Sequence, residues 1–320
     1  MVDKNGREIL ERIGNTPILK LTRESIGVEQ NIYVKPEFLN PSGSIKDRIA
    51  LYMIRDAEKK GLLKPGGMIV EASTGNTAIA LSFVGTVMGY RVKIFLPREV
   101  GEDEKVNTMK YYGAQVEMLD TGYKEMASDD SVHGSSIEIL PRQKCLEAEQ
   151  NDPLVWWARQ FSNANNSKAH RETTGQEIIN QTGGNLDAFV ASVGTAGTLL
   201  GVGQALKEFN SQIKIVGVEP SGFPAMRNGK EGIEIIEGIT GGLILDAIDI
   251  SDDLVVVDND QAVKMSDRLV LEEGLFCGIS SGANVFAAIR YAESHPEIKN
   301  IVTVLPDRRD RYYTVQRYTT

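Results

Sequence analysis

Apolar positions along the chain fall into two alternating kinds of segment. Short runs rich in β-branched residues read as strands: Ile69–Glu71, Val92–Leu96, Gln115–Leu119, Ala188–Ser192, Ile213–Val218, Leu254–Val257 and Ile301–Leu305. Several are apolar at consecutive positions, as parallel strands covered on both faces are. Elsewhere the spacing changes to a helical period, which predicts helices over Thr77–Met88, Glu104–Tyr112, Thr198–Phe209, Gln261–Glu273 and Ala283–Ala292. Alternation of this kind predicts βαβ units and an α/β fold with mostly parallel sheets. The alternation restarts near Gly184, so two α/β domains with a cleft between them are expected. Thr121–Ser136 is polar and weakly patterned, and Ser221–Gly242 holds six glycines. Both read as loops, which at the carboxyl edge of a sheet often carry function.

Composition narrows the class. In 320 residues, 41% are hydrophobic and 25% charged, enough for a core without disulfides or a structural metal. The net charge of -9 argues against a nucleic-acid partner, which requires concentrated basic surface. The two cysteines, Cys145 and Cys277, and the three histidines, His133, His170 and His295, show no metal-ligand spacing, so no metal is expected. Met1–Glu11 is charged and lacks the apolar core of a signal peptide. No apolar run approaches the roughly 18 residues that a membrane span needs. A cytoplasmic protein without membrane contact is expected.

Four short motifs hold candidate chemistry. In Asn40-Pro41-Ser42-Gly43-Ser44-Ile45-Lys46-Asp47-Arg48 a turn precedes a capping-box pattern, Ser44 with Asp47, which predicts a helix running to Lys60. Lys46 stands at the N-terminal end of the stripe Ile49, Ala50, Met53 and Ala57. A helix N-terminus disfavours a cation and burial lowers a lysine's pKa, so both favour the neutral amine that a Schiff base requires. The alternative is a lysine extending off the first turn into solvent. Ser73-Thr74-Gly75-Asn76-Thr77 follows a strand and opens a helix, a place for a carboxylate or for an ordinary N-cap. Gly194-Thr195-Ala196-Gly197-Thr198 has the same context, and its amides suit a phosphate. Gly278-Ile279-Ser280-Ser281-Gly282 fits the nucleophile-elbow pattern of serine hydrolases, but only Glu293 and His295 follow in the same helical segment. Ser280 reads better as a capping or ligand hydroxyl.

Together with Gln160-Phe161-Ser162-Asn163, these motifs occur in an order and spacing that resembles the fold type II pyridoxal-phosphate enzymes of the cysteine synthase and cystathionine β-synthase family. The resemblance runs from Gly14-Asn15-Thr16-Pro17 to Leu305-Pro306-Asp307. It implies two doubly wound three-layer α/β domains of the tryptophan synthase β-subunit kind, with pyridoxal 5'-phosphate in the cleft. A smaller domain would span 40–162, and a larger one 1–39 with 163–320. Lys46 would carry the cofactor and later move the Cα proton. Asn76 would bond the ring hydroxyl, Gly194, Thr195, Ala196, Gly197 and Thr198 would hold the phosphate, and Ser280 would meet the pyridine nitrogen. Ser73, Thr74, Gly75, Thr77 and Gln160 would bind the substrate carboxylate. The implied reaction is β-replacement on an activated serine, O-acetylserine or O-phosphoserine, with sulfide to give L-cysteine, in a homodimer. Homocysteine as the nucleophile is the nearest alternative; a serine hydrolase using Ser280 and a non-catalytic binding protein are the rivals from other classes.

The chain departs from the family pattern in places. Ala196 stands where a glycine is usual, and its Cβ is expected to be tolerated only at negative φ. Ser131–Pro153 reads as longer and more irregular than the family's helix. Glu237–Gly242 matches neither branch of the family, whereas the ending Leu305–Tyr312 leans toward the cystathionine β-synthases. Arg227, in the glycine-rich loop, is a candidate for contact with an anionic leaving group.

Overall fold

The computed structural model describes residues 4–101, 103–121, 139–221 and 249–314. His133, Arg227 and Glu237–Gly242, and most of the segments Thr121–Ser136 and Ser221–Gly242 that read as loops, lie outside these residues. The strands are β1 (Leu19–Lys20), β2 (Asn31–Pro36), β3 (Met68–Ala72), β4 (Arg91–Pro97), β5 (Gln115–Leu119), β6 (Val155–Trp157), β7 (Ala188–Ser192), β8 (Lys214–Pro220), β9 (Asp253–Val257) and β10 (Asn300–Leu305). The first helices are α1 (Arg23–Ile26), α2 (Lys46–Lys59), α3 (Asn76–Val87), α4 (Glu104–Tyr111) and α5 (Ile139–Asn151). Then come α6 (Asn165–Ala169), a π-helical turn at His170–Thr174, α7 (Gly175–Thr182), α8 (Gly197–Phe209), α9 (Asn259–Glu273) and α10 (Ile279–Ser294).

The strands form two sheets, one of four strands in the order β5-β4-β3-β6 and one of six in the order β1-β2-β10-β7-β8-β9. Every pairing is parallel except β1 with β2. Successive strand residues point to opposite faces, and both faces are apolar. In the smaller sheet Ile69, Ile94 and Leu96 pack with α2, α3 and α4, while Val70, Ala72 and Phe95 pack with Cys145 of α5. In the larger sheet Val190, Val216 and Ile301 face α9 and α10, while Phe189, Ile215 and Val302 face α7 and α8. Each sheet is thus the middle of three layers, the α/β class read from the sequence.

The differences from the sequence reading have physical causes. β2 carries Lys35, which looks like a surface residue but is fully buried, its ammonium 2.7 Å from Glu177. β6 is three residues long, below what periodicity resolves. Of Ser131–Pro153, read as irregular, the described part forms a regular helix over Ile139–Asn151. Only Pro141 and Cys145 of it are buried, so no apolar stripe announced it. Tertiary packing against β3 and β4 outweighs a weak local pattern there.

Candidate active site

Parallel α/β sheets bind ligands where the strand order reverses, just beyond the carboxyl ends of the strands. Both sheets have such a point. In the smaller sheet α3 leads from β3 out to β4, whereas β6 joins the other side of β3. The loops at that point are Ser73–Gly75 and Ala158–Gln160. In the larger sheet α8 leads from β7 to β8, whereas β10 lies on the other side of β7. The segments there are Val193–Ala196 and Pro306–Arg308. Three of the sequence motifs therefore sit on the two switch points.

Lys46 is the first residue of α2 and half-buried. Burial lowers its pKa to about 8, and the Asp307 carboxylate partly offsets that effect. The capping box expected from Ser44 and Asp47 does not form. The residue before the helix is Ile45, and Asp47 turns back to accept from the Ser42 amide at 2.7 Å. Ser44 Oγ accepts only a long bond, 3.3 Å, from the Lys46 amide. The carboxylate is drawn away because the tight turn of Ser42 and Gly43 offers it an amide and a hydroxyl at once.

The expected carboxylate-binding residues come together. Thr77 Oγ1 donates to Gln160 Oε1 at 2.5 Å, joining the loop after β3 to the loop after β6. Ser73 is buried, and Thr74, Gly75 and Asn76 are half-buried at the start of α3. Buried Glu71, which sequence reasoning passed over, fixes this pair of loops: it accepts from the Gln160 amide at 3.0 Å and from Trp157 Nε1 at 3.0 Å. Arg159, just before Gln160, occupies the left-handed region at φ 54 and is held by Glu149 at 2.9 Å.

Thr195 and Thr198 flank the start of α8 with their hydroxyls half-buried. Asn166 ties this loop to the previous one, because its Nδ2 donates to Gln160 O and to Thr195 Oγ1, both at 2.9 Å. Gly197 is required by that contact, since a Cβ there would stand 1.9 Å from Asn166 Oδ1. His170 lies in the π-helical turn, fully buried, with Nδ1 3.0 Å from Thr174 Oγ1 and Nε2 3.3 Å from Thr198 Oγ1. Burial, with Lys46 and Arg48 nearby, pushes its pKa well below the usual histidine value and keeps the ring neutral. Asn166 and His170 left no local signal; only the fold brings them to this loop.

The expectation of a negative φ at Ala196 is overturned: it takes φ 62 and ψ -5 as the residue before α8. The loop needs a left-handed residue to turn its amides toward the helix start, and alanine accepts it at about 1–2 kcal/mol. Ala196→Gly relieves this strain while loosening the unfolded chain by about 0.4–1 kcal/mol, so stability should rise by between about 0 and 1.6 kcal/mol. Cofactor affinity should stay within about threefold if backbone amides of this loop do the holding. Ala196→Val should weaken it by about tenfold or more, since a β-branched residue is a true outlier at positive φ. Cofactor dissociation constants and urea unfolding curves check this; equal affinity in all three proteins would remove the loop from the phosphate site.

Ser280 is the second residue of α10 and buried; the helix is preceded by Gly278, so Ser280 is no N-cap. The hydrolase rival fails on geometry. His295 follows the far end of this helix, about 22 Å away along its axis. It stacks on Tyr291 at 4.1 Å, and its Nδ1 lies 3.0 Å from the Tyr291 carbonyl.

These residues fit the cofactor that the motifs imply. The amine is poised to be neutral, and a hydroxyl-bearing loop opens α8, where amides favour an anion. Two buried oxygens of the site, Asn166 Oδ1 and Asp307 Oδ1, have no hydrogen-bond partner among the described residues. The comparisons with known proteins agree. The family model for pyridoxal-phosphate dependent enzymes matches residues 9–307. The cysteine synthase of Staphylococcus aureus is 38% identical over 322 aligned positions, covering 100% of this chain and 99% of that protein. The cystathionine beta-synthase of Apis mellifera is also 38% identical, covering 96% of this chain and 60% of that protein. The crystal structure of O-acetyl serine sulfhydrylase isoform 3 from Entamoeba histolytica superposes with a TM-score of 0.86 at 35% identity, covering 98% of this chain and 91% of that one. The chain belongs to the family of pyridoxal-phosphate dependent enzymes.

Proposed function

We propose that the protein makes L-cysteine by β-replacement, exchanging the ester or phosphate leaving group of an activated serine for sulfide. The observation that carries the reading is the Lys46 amine, depressed to about 8 and linked through Asp307, Asn76 and His170 to both switch points. Bound pyridoxal phosphate supplies the electron sink that makes the substrate Cα proton removable. Lys46 Nζ would take that proton, and a pKa near the working pH suits an acid–base group. Ser73, Thr74, Gly75, Thr77 and Gln160 would hold the substrate carboxylate at the start of α3. Gly194–Thr198 would hold the cofactor phosphate, with Ser280 at its pyridine nitrogen and Asn76 at its ring hydroxyl. The two sheets suggest the division into a smaller domain, 40–162, and a larger one, 1–39 with 163–320. Homodimeric assembly and a cytoplasmic location belong to the same proposal. Among the described residues no helix is long and apolar enough to cross a membrane.

A second reading replaces sulfide by homocysteine. The equal identity to the bee cystathionine beta-synthase favours it, as does the ending Leu305–Tyr312. Initial rates with O-acetylserine, O-phosphoserine and serine, each with sulfide and with homocysteine, separate the two. An activated serine with sulfide is expected to exceed serine with homocysteine in kcat/KM by at least about tenfold, or about 1.4 kcal/mol in the barrier. The reverse order would establish the second reading.

A further inference from the structure

The segment after β10 is the part of the site to which neither motif nor family pattern gives a role. Asp307 is 1% exposed, and its Oδ2 accepts from Asn76 Nδ2 at 2.6 Å and from the Tyr312 hydroxyl. Arg311, also buried, donates from Nη1 to Asn76 Oδ1 and from Nη2 to the Ser42 carbonyl, in the turn before Lys46. A guanidinium only donates and a carboxylate only accepts. Flipping the Asn76 amide would set its N–H against Arg311 and its oxygen against Asp307, so the orientation is fixed from both ends. One Nδ2 hydrogen is committed to Asp307, and the other meets no acceptor among the described residues.

The surroundings hold Asp307 in place, and burial raises its pKa against the pull of nearby cations and of the Tyr312 and Asn76 hydrogen bonds. Its carbonyl accepts from the Gly278 amide at 2.9 Å, which ties it to the start of α10. Its Oδ1 packs so close to Gly278 that a Cβ there would stand 2.2 Å away. The charged groups that face it are Arg311 from its own segment, Lys46 from α2 and Lys105 from α4. All three are cationic when protonated, and they oppose the cost of burying the carboxylate.

We propose that Asp307 and Arg311 are positioning residues that clamp the Asn76 amide so that its free Nδ2 hydrogen is presented to the cofactor's ring hydroxyl. The inference rests on the reading of Asn76 as the ligand of that hydroxyl. A clamp would also couple the two sheets, since Asn76 belongs to α3 of the smaller sheet and both partners follow β10 of the larger.

The test is a double-mutant cycle on cofactor-loaded protein with Asn76→Ala, Asp307→Ala and both together. The dissociation constant of pyridoxal phosphate and the position of the visible absorption band are the readouts. Each single variant should weaken cofactor binding by about tenfold, and the double variant should be no weaker than Asn76→Ala alone. Asp307→Ala should move the visible band as Asn76→Ala does, which a merely structural change would not. Asp307→Asn keeps an acceptor for Asn76 and should restore affinity to within about threefold of the parent. If Asp307→Ala does not fold, Arg311→Gln takes its place in the cycle with the same expected non-additivity. Additive losses, or an Asp307→Ala protein with parental affinity and spectrum, would overturn the clamp while leaving Asn76 as a ligand. An unchanged Asn76→Ala protein would overturn both, and so marks failure of the underlying reading.

Discussion

Replacing Lys46 by alanine is expected to lower turnover by about four orders of magnitude or more, because in the proposed reaction one change removes both the cofactor's covalent anchor and the group that moves the Cα proton. The fold should survive. Lys46 opens α2, alanine is the best helix former, and the amine gains little from a site that depresses its pKa to about 8. The same depression has a pH signature. In the proposed reaction only the neutral Lys46 amine would capture the cofactor, so the rate of cofactor uptake by the cofactor-free protein should rise about tenfold per pH unit below 8 and level off above it. Stopped-flow absorbance across pH 6 to 10 measures this, with far-UV circular dichroism of Lys46→Ala as the control for folding. A pH-independent uptake rate would show that the amine is not neutralised as the site geometry requires.

The second large effect concerns stability and lies two residues further along α2. Arg48 is 1% exposed and grips Glu37 with Nε at 2.7 Å and Nη2 at 2.8 Å. Its Nη1 and Nη2 reach Glu177 of α7 at 2.6 and 2.8 Å. Lys35 completes the network, 2.7 Å from Glu177 and donating to the Thr16 carbonyl at 2.7 Å. Arg48→Met leaves buried Glu37 and partly buried Glu177 facing one ammonium and should cost about 3–5 kcal/mol, read as a lower urea midpoint. Glu177→Gln should cost less, because Glu177 is partly exposed. Burial opposes ionisation of Glu177, but Arg48 and Lys35 overcome it and pull the carboxyl down to about 2. The folded pKa is thus below the ordinary value of 4.5, so this stabilisation is full above pH 4.5 and is lost as the pH falls toward 2. A Glu177→Gln protein should lack that part of the acid sensitivity. An Arg48→Met protein as stable as the parent would mean that the network gives orientation and no net stability.

What the sequence revealed follows from how local each interaction is. β5 and β7 were legible to the residue, β5 from the polar–apolar alternation of Gln115-Val116-Glu117-Met118 and β7 from the apolar run Ala188–Ala191. Lys46, the Ser73–Thr77 loop and the Gly194–Thr198 loop were legible because each is a contiguous turn at a helix start. Arg48 and Glu177 are 129 residues apart, and Asn76 and Asp307 are 231 apart. No periodicity links such pairs, so the buried network and the amide clamp emerge only after both sheets are assembled. Lys35 shows the same limit within one strand: its charge hides a β-strand whose neighbours Ile32 and Val34 are fully buried. Ala196 is the opposite case, a position noticed from sequence whose backbone went the other way. The residue type set the cost, and the loop it had to build set the conformation.

The proposed reaction depends throughout on a cofactor held on Lys46. Borohydride reduction of the cofactor-loaded protein, followed by proteolysis and mass mapping, tests it most directly. The mass of reduced pyridoxal phosphate should appear on the peptide containing Lys46 and vanish in Lys46→Ala. A label on any other lysine, or bound cofactor that borohydride fails to fix to the chain, would contradict the account.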